Sequence, residues 1–260
     1  MINEAVRDVL KERYLQPNEK DEHDMFRRVV NAIIKPLKSK KKELAEAFMN
    51  ALEEGAIMPN SPALMNLGTG NQMASACFVV PIEDSMDGIF NAIHDAAIIH
   101  KLGGGTGFCF SSLRPANSLV QTTNGKASGP LSFLRVFDVA TGTVKQAGKR
   151  RGANMATFMC DHPDLIEFIN LKDKEGDISN FNISVMLTDK FMMAVNSNSP
   201  WELKWNGKVH KTLMARDIFD MIVQQAWKNG EPGILFIDTI NAENVPVGFE
   251  KETIVATNPC

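Results

Sequence analysis

The chain has 260 residues, and its 28 lysines and arginines against 31 aspartates and glutamates give a formal net charge of −3. This near balance excludes a dedicated nucleic-acid-binding protein, which would be clearly basic. No apolar run reaches the ~20 residues of a membrane span, and the N-terminus lacks the apolar stretch of a signal peptide, so we expect a cytoplasmic protein. The four cysteines are widely spaced and fit neither a disulfide scaffold nor a C-x-x-C zinc site.

Residues 1–57 are predicted to form a helical domain. Apolar residues recur at helical spacing in its first two stretches, and a third stretch, rich in Lys, Glu, Ala and Leu, closes on Gly55, a favourable C-terminal cap. A lysine-rich run at 38–42 precedes the third stretch. Because acidic residues nearby balance its charge, this run indicates a solvated helix start rather than a phosphate or nucleic-acid patch.

Residues 58–260 alternate strand-like runs with helical stretches, which predicts α/β architecture with a mainly parallel sheet. The predicted strands are 77–80, 106–110, 153–159, 181–187 and 233–237. The predicted helices are 84–101, 130–147, 163–171 and 214–229. Asp84 and Ser85 offer an N-terminal cap to the first of these helices. Residues 201–208 are predicted to form a hairpin with an Asn-Gly turn.

Two glycine-containing segments are candidates for ligand contact. The run Gly-Gly-Gly-Thr-Gly at 103–107 allows backbone amides to approach a phosphate or a sugar, but it matches neither a P-loop nor a dinucleotide fingerprint. A plain helix-to-strand turn is an equally good interpretation of this glycine run. Residues 148–154 place three cations between two glycines, which suits a mobile loop that closes over phosphate. An exposed basic loop is the alternative.

The remaining candidates have ordinary structural explanations as well. The Asp-His-Pro-Asp run at 161–164 indicates a helix N-terminus rather than a metal site. A lone cysteine in or near a strand, such as Cys77, Cys109 or Cys160, is usually a small buried apolar residue. Residues 257–260, Thr-Asn-Pro-Cys, place a thiol beside a carboxamide in a polar loop. An ordinary turn is the alternative interpretation of this run.

Taken together, eight segments make the chain resemble the large subunit of ribonucleotide reductases. In chain order they are Asn60-Ser61-Pro62, Ser75-Ala76-Cys77-Phe78, Asp84-Ser85-Met86-Asp87, Gly103-Gly104-Gly105-Thr106-Gly107, Ser112-Leu113-Arg114, Gly148-Lys149-Arg150-Arg151-Gly152-Ala153-Asn154, Asn180-Phe181-Asn182 and Thr257-Asn258-Pro259-Cys260. The resemblance covers nearly the whole chain and favours the adenosylcobalamin-dependent (class II) branch. The same part of a diiron-dependent class I large subunit is the alternative.

The resemblance implies a helical N-terminal domain followed by the first half of a ten-stranded α/β barrel, with a loop through its centre. It implies that Cys260 carries the thiyl radical that abstracts the 3′-hydrogen of a ribonucleotide. Cys77 would be one of two cysteines that supply reducing equivalents and end as a disulfide. Asn258 would bind the ribose beside the radical. The implied substrate-binding residues are Ser61, Ala76, Gly104, Gly105 and Asn258.

The resemblance also implies allosteric control by a deoxynucleotide effector. Asp84 matches the acid that binds the effector ribose, and Arg114 matches a phosphate contact. Further implied effector-site residues are Ser85, Lys149, Arg150 and Arg151. The last three lie in the segment that would carry information from effector to substrate. A homodimer is implied, and helices 84–101 and 130–147 are candidates for its interface.

Several parts of the family pattern are missing. The catalytic glutamate would lie two residues beyond Cys260, and the second redox cysteine, the other half-barrel and the C-terminal relay cysteines are absent from the sequence. We therefore expect a fragment that is inactive alone, or one product of a split gene completed by intein trans-splicing. The implied partners are a ribonucleotide, the effector, the C-terminal half and a thioredoxin-type or other dithiol reductant. A regulatory nucleotide-binding fragment without catalysis is the alternative.

Overall fold

A computed structural model describes residues 4–120, 124–144, 152–174, 176–244 and 253–259. The chain divides into two compact units. The first contains mainly residues 4–76 together with 101–104, and the second contains the described residues of 77–100 and 105–259. No helix among the described residues is long and apolar enough to cross a membrane.

The first unit is helical, as predicted. Its helices are α1 (Glu4–Arg13), α2 (Glu22–Ile34), α3 (Lys41–Glu53) and α4 (Ser61–Asn66). Helix α2 begins where the Asp21 side chain accepts a hydrogen bond from Asp24 N at 3.1 Å, and α4 begins where Asn60 accepts one from Ala63 N at 2.9 Å. The buried core of the unit consists of Met25, Phe26, Val29, Val30, Leu52 and Leu64. Because Leu64 belongs to this core, α4 packs within the first unit; the domain boundary at residues 57/58 stays a prediction.

The second unit contains the sheet. Its strands are β1 (Cys77–Val79), β2 (Gly105–Cys109), β3 (Leu119–Val120), β4 (Gly125–Lys126), β5 (Asn154–Met159), β6 (Phe181–Leu187), β7 (Pro200–Trp205), β8 (Lys208–Met214) and β9 (Gly233–Phe236). Five strands form one sheet in the order β1-β2-β5-β6-β9, and every neighbouring pair in it is parallel. The pairs β3-β4 and β7-β8 are antiparallel. The predicted parallel sheet and hairpin are confirmed.

Helices follow the strands of the parallel sheet. They are α5 (Met86–Lys101), α6 (Pro130–Thr143), α7 (Leu165–Ile169), α8 (Asp189–Asn196), α9 (Ala215–Asn229) and α10 (Ile237–Ala242). The predicted helices correspond to α5, α6, α7 and α9. Sequence periodicity missed α8 and α10, which have eight and six residues, because so few turns carry little periodic signal. Helix α8 still begins at a recognisable cap, since Thr188 Oγ1 accepts a hydrogen bond from Phe191 N at 3.1 Å.

Aromatic side chains fill the core beside the sheet. The Phe108 and Phe137 ring centroids are 4.9 Å apart, and those of Phe110 and Phe137 are 5.4 Å apart, both in edge-to-face geometry. Such pairs contribute about 0.5–1.5 kcal/mol beyond the burial of their area. All three rings are at most 2% exposed. This packing fixes β2 against α6 and so determines where the ends of the neighbouring strands lie.

Candidate functional site

Two predicted site residues lie at the amino ends of neighbouring strands. Cys77 is the first residue of β1 and pairs in parallel register with Gly105, the first residue of β2. The Cys77 thiol belongs to a half-buried residue. A strand end that is neither fully buried nor fully exposed suits a thiol that has to meet both a ligand and a second thiol.

The segment 253–259 lies against the backbone of β2. A Cβ atom on Gly107 would come within 1.9 Å of Thr257 O and 2.8 Å of Asn258 Cα. One on Gly105 would come within 3.0 Å of Pro259 Cγ. Glycine is therefore required at position 107, where backbone packs on backbone, a reason that differs from the phosphate contact considered for the glycine run; at position 105 the neighbour is the proline ring.

This contact brings together three of the predicted site residues. Asn258 lies beside Gly107, and Pro259 lies beside Gly105, so the segment runs towards the amino end of β2. Gly105 is in turn the register partner of Cys77. The next residue, Cys260, lies outside the described residues, as do Lys149, Arg150 and Arg151.

Asn241 of α10 holds the start of this segment with both ends of its amide. Its Nδ2 donates to Ile254 O at 3.0 Å, and its Oδ1 accepts from Ile254 N at 2.7 Å. Two residues later, Ala256 is buried. These bonds set the register of the segment relative to the sheet. Sequence reasoning missed Asn241, because nothing in its neighbourhood distinguishes it from a surface asparagine.

An apolar cavity of about 550 Å³ lies beside the same segment, at the carboxyl ends of the parallel strands. Each of the five parallel strands contributes lining residues at its end or at the next position, namely Val79, Val80, Cys109, Met159, Met186 and Ile237. Burial raises the pKa of the Cys109 thiol. Burial also raises the pKa of Cys160 to about 12, so both side chains stay protonated thiols at neutral pH.

Three predicted substrate-binding residues belong to the first unit. Ser61 is the first residue of α4, and its Oγ lies 2.9 Å from the hydroxyl of Tyr14, the single tyrosine of the chain. Asn60 Nδ2 donates to Ala74 O at 2.9 Å, two residues before Ala76. Ala76 is half-buried and Gly104 is buried. Sequence reasoning missed Tyr14, which contacts a residue 47 positions away.

A second cavity, of about 850 Å³, contains three predicted effector-site residues, Asp84, Ser85 and Arg114, and we call it the effector cavity. Ser85 Oγ accepts a hydrogen bond from Gly88 N at 3.0 Å, which confirms the predicted cap of α5. Arg114 Nε lies 2.9 Å from Asp84 Oδ2 and 3.1 Å from Oδ1. The cavity thus offers a carboxylate, a guanidinium and a hydroxyl at one end of α5.

The other walls of the effector cavity come from β3 and β4, the start of α6 and the β7-β8 hairpin. The strands β3 and β4 contribute Leu119 and Lys126, the start of α6 contributes Gly129, and the β7-β8 turn contributes Trp205 and Asn206. Cations suit phosphate, a carboxylate suits sugar hydroxyls, and an aromatic face suits a base. Sequence reasoning placed Trp205 in a hairpin but gave it no part in binding.

Residues 161–164 bind the backbone of the segment that contains Arg114, a residue of the same cavity. His162 Nδ1 accepts a hydrogen bond from Asp164 N at 3.1 Å, so its Nε2 carries the proton that it donates to Leu113 O at 3.0 Å. Asp164 Oδ2 accepts from Ala116 N at 2.8 Å. Burial lowers the pKa of His162 to about 4 and raises the pKa of Asp164. The run therefore anchors the backbone on both sides of Arg114.

Comparison with known proteins identifies the family of the helical unit and of the unit that contains the parallel sheet. Residues 2–72 match the family described as ribonucleotide reductase, all-alpha domain. Residues 75–260 match the family described as ribonucleotide reductase, barrel domain. The chain belongs to the ribonucleotide reductase family, and the predicted helical domain followed by part of an α/β barrel is confirmed.

Among its relatives are proteins named for a cobalamin dependence. The chain is 48% identical, over 83% of its length, to the vitamin B12-dependent ribonucleoside-diphosphate reductase of Thermoplasma acidophilum. It is 44% identical, again over 83% of its length, to the protein of the same name from Mycobacterium tuberculosis. It is 36% identical over 77% of its length to the vitamin B12-dependent ribonucleotide reductase of Streptomyces clavuligerus. The chain spans 28%, 31% and 23% of these three relatives.

Proposed function

We propose that this chain forms part of an adenosylcobalamin-dependent reductase that converts ribonucleoside diphosphates to deoxyribonucleotides by thiyl-radical chemistry. Within it, Cys260 carries the radical, Asn258 binds the ribose, and Cys77 supplies reducing equivalents. Ser61, Ala76, Gly104 and Gly105 contact the substrate. The choice of a diphosphate substrate is supported by the names of the relatives that are 44% and 48% identical.

The observation that carries the catalytic part is the contact of the Thr257–Pro259 segment with β2. This contact puts Asn258 and Pro259 beside β2. The first residue of β2, Gly105, pairs with Cys77. A thiyl radical has to be held close to the sugar and away from water. A segment that packs on backbone, with Ala256 buried, provides this restraint.

The effector cavity supports the regulatory part. We assign it to a deoxynucleoside triphosphate, with Asp84 at the sugar hydroxyl, Ser85 close by, and Arg114 at the phosphates. Lys149, Arg150 and Arg151 are proposed to respond to the bound effector. All residues that line the cavity belong to the described part of the second unit, so effector binding is proposed for this chain without the rest of the reductase sequence.

The cofactor assignment rests on the relatives' names and is compatible with the side chains present. Among the described residues, no group of three or more His, Cys, Asp and Glu side chains could hold a metal ion. Adenosylcobalamin carries its cobalt in its own macrocycle and so needs no such group. When bound, it supplies the homolytic chemistry that starts the radical reaction. The apolar cavity of about 550 Å³ lies beside residues 253–256, at the carboxyl ends of the strands, whereas Pro259 lies at the amino end of β2, so the cavity is not assigned to the cofactor.

A homodimer and a thioredoxin-type or other dithiol reductant complete the proposal. The helices α5 and α6 expose large apolar side chains, at 40% to 68% of their surface: Met86, Phe90, Ile98, Val136 and Val139. Such a patch favours an interface between copies of the chain near the effector cavity. The dithiol would reduce the disulfide that Cys77 forms after each turnover.

The test is deoxynucleotide formation by this chain joined to the remaining length of the Thermoplasma acidophilum relative. The joined protein is assayed with a ribonucleoside diphosphate and dithiothreitol, with and without adenosylcobalamin. We expect product only with the cofactor, none from the Cys260→Ala variant, and retained product from the Cys160→Ala control. Substantial product from Cys260→Ala would refute the radical role.

A regulatory nucleotide-binding function without catalysis is the second candidate, and the effector cavity favours it. The same joined protein separates the two functions. A folded joined protein that binds the effector and forms no product would support the regulatory function.

A further inference from the structure

Four buried polar side chains meet in the second unit and form what we call the polar junction: His100, Thr106, Thr141 and Asn154. Their exposed fractions lie between 0% and 6%. Asn154 Oδ1 lies 2.9 Å from His100 Nε2 and 2.6 Å from Thr106 Oγ1. Asn154 Nδ2 lies 2.9 Å from Thr141 Oγ1. Asn154 is thus the centre of the junction.

The proton positions in the junction follow from its neighbours. The Thr141 hydroxyl donates to Phe137 O at 2.8 Å, so it accepts from Asn154 Nδ2, which also donates to Asn180 O at 3.2 Å. The Asn154 amide is therefore oriented with its oxygen towards His100 and Thr106. Because that oxygen can only accept, His100 Nε2 carries a proton and donates it. A buried amide oriented from both ends has one low-energy position.

The junction joins two helices to the starts of two strands. His100 lies in the last turn of α5 and Thr141 in the last turn of α6, while Thr106 and Asn154 lie at the amino ends of β2 and β5. Both helices begin at the effector cavity. Asp84 and Ser85 precede α5, and Gly129 precedes α6. At 1.5 Å per residue, α5 spans about 21 Å from Met86 to His100.

Gly152 packs directly on the junction. A Cβ atom there would come within 2.7 Å of Thr141 Cγ2 and 2.8 Å of His100 Nδ1. Gly152 is the second of the two glycines in the 148–154 segment, for which the sequence analysis predicted mobility. The structure gives Gly152 a steric role instead, because only a residue without a side chain fits against the histidine ring.

We propose that His100 is a positioning residue that couples the effector cavity to the amino ends of β2 and β5. A displacement of α5 or α6 at the cavity moves His100 or Thr141, and Asn154 follows because breaking its buried hydrogen bonds is costly. A shift of Asn154 in turn moves Gly152 and the start of β5, which lies beside the start of β2 at Gly105. This inference rests on the proposed function, since it presupposes an effector in the cavity.

Hydrogen exchange of this chain tests the coupling. Exchange is measured by mass spectrometry with and without each of the four deoxynucleoside triphosphates, in the wild type and in His100→Ala and Thr106→Val. The control is His94→Ala, since His94 is an exposed histidine on the same helix. Nucleotide affinity is measured in parallel by calorimetry.

In the wild type and in the control, we expect a bound nucleotide to slow exchange both at the cavity and in residues 152–159. In His100→Ala and Thr106→Val, we expect affinity within about twofold of the wild type and cavity protection retained. The nucleotide effect on 152–159 should fall by about fivefold or more. A general loss of stability would not remove the distant response while leaving affinity intact.

Each other outcome has a definite meaning. Cavity protection in the wild type without any change at 152–159 would overturn the coupling and leave the proposed effector site standing. Variants that keep the distant response would overturn the role of His100. If His100→Ala does not fold, the isosteric Thr106→Val decides. No nucleotide binding to the folded wild type would refute the proposed effector site, and the coupling with it.

Discussion

Asp84 and Arg114, 30 residues apart, face each other inside the effector cavity. Arg114 contacts Asp84 through its backbone nitrogen at 3.2 Å and through Nε at 2.9 and 3.1 Å from the two carboxylate oxygens. About a third of each side chain is exposed. Exposed ion pairs contribute only about 0–1 kcal/mol to stability. We therefore infer that this pair orients two ligand-binding groups rather than holding the fold together.

Replacing Arg114 by glutamine should weaken effector binding far more than folding. The variant loses a cation for the phosphates and also the partner that orients Asp84. Charge-assisted hydrogen bonds of about 1.5–3 kcal/mol predict a loss of affinity of about tenfold or more. The measurement is calorimetric titration with deoxynucleoside triphosphates. Arg216→Gln on α9, which is exposed and outside the cavity lining, is the control, and equal affinities in both variants would contradict the assignment.

Trp205 should report on the occupancy of the effector cavity through its fluorescence. It lines the cavity, whereas Trp227 is 89% exposed and Trp201 donates its indole N–H to Cys160 O at 2.8 Å. We expect a deoxynucleoside triphosphate to change the emission intensity in the wild type and in Trp227→Phe. The change should be absent in Trp205→Phe. An unchanged response in Trp205→Phe would remove this residue from the site.

Asn241→Asp should impair chemistry while sparing effector binding. The carboxylate keeps an acceptor for Ile254 N but loses the donor to Ile254 O, so the segment carrying Asn258 loses one of its two anchors. In the joined protein we expect a decrease in kcat of about tenfold or more, because small misplacements of reacting groups are costly. Asn196→Asp, at the exposed end of α8, is the matched control. A kcat equal to that of the control would show that the anchor is dispensable.

The stability of the chain should fall below pH 6.5 through His162. Its folded-state pKa of about 4 lies below the value of 6.5 expected for the unfolded chain. The unfolded state therefore binds more protons between these values, and stability is fully present above pH 6.5 and is lost as the pH falls towards 4. The contribution lost between pH 7 and pH 5 is about 2 kcal/mol.

Urea unfolding at several pH values measures this effect. His162→Gln should be less stable than the wild type at pH 7, and the difference between the two proteins should shrink as the pH falls to 5. His94→Gln, in which an exposed histidine is replaced, should follow the wild type. A constant difference between His162→Gln and the wild type would show that the histidine is not buried in its neutral form.

Local sequence signals predicted most of the fold because they coincide with tertiary burial. Five of the seven residues at 181–187 are apolar and six are buried, as expected for a parallel strand covered on both faces. Ser85 was predictable as a cap because capping depends on residues three positions away. The family motifs likewise predict Asp84, Arg114, Cys77 and Asn258 as site residues, and Asp84 and Arg114 do lie in contact.

Residues that act through distant partners could not be predicted in this way. Asn241 anchors the Ile254 backbone, Tyr14 contacts Ser61, and His100 contacts Asn154 across 54 positions of sequence. No periodicity or spacing rule connects such pairs. The explanation of Gly107 also needed the structure, because a close approach of two backbones has no signature beyond the glycine itself.

The packing of Thr257 and Asn258 on Gly107 has a consequence for protein engineering. Where side chains meet, a site can be retuned by exchanging one side chain for another of different size. At Gly107 the two surfaces are both main chain, so a side chain at this position can only push the segment outwards. Libraries that aim to reshape this site should therefore leave Gly105 and Gly107 constant and vary the anchor at Asn241 or the length of the connection that follows it.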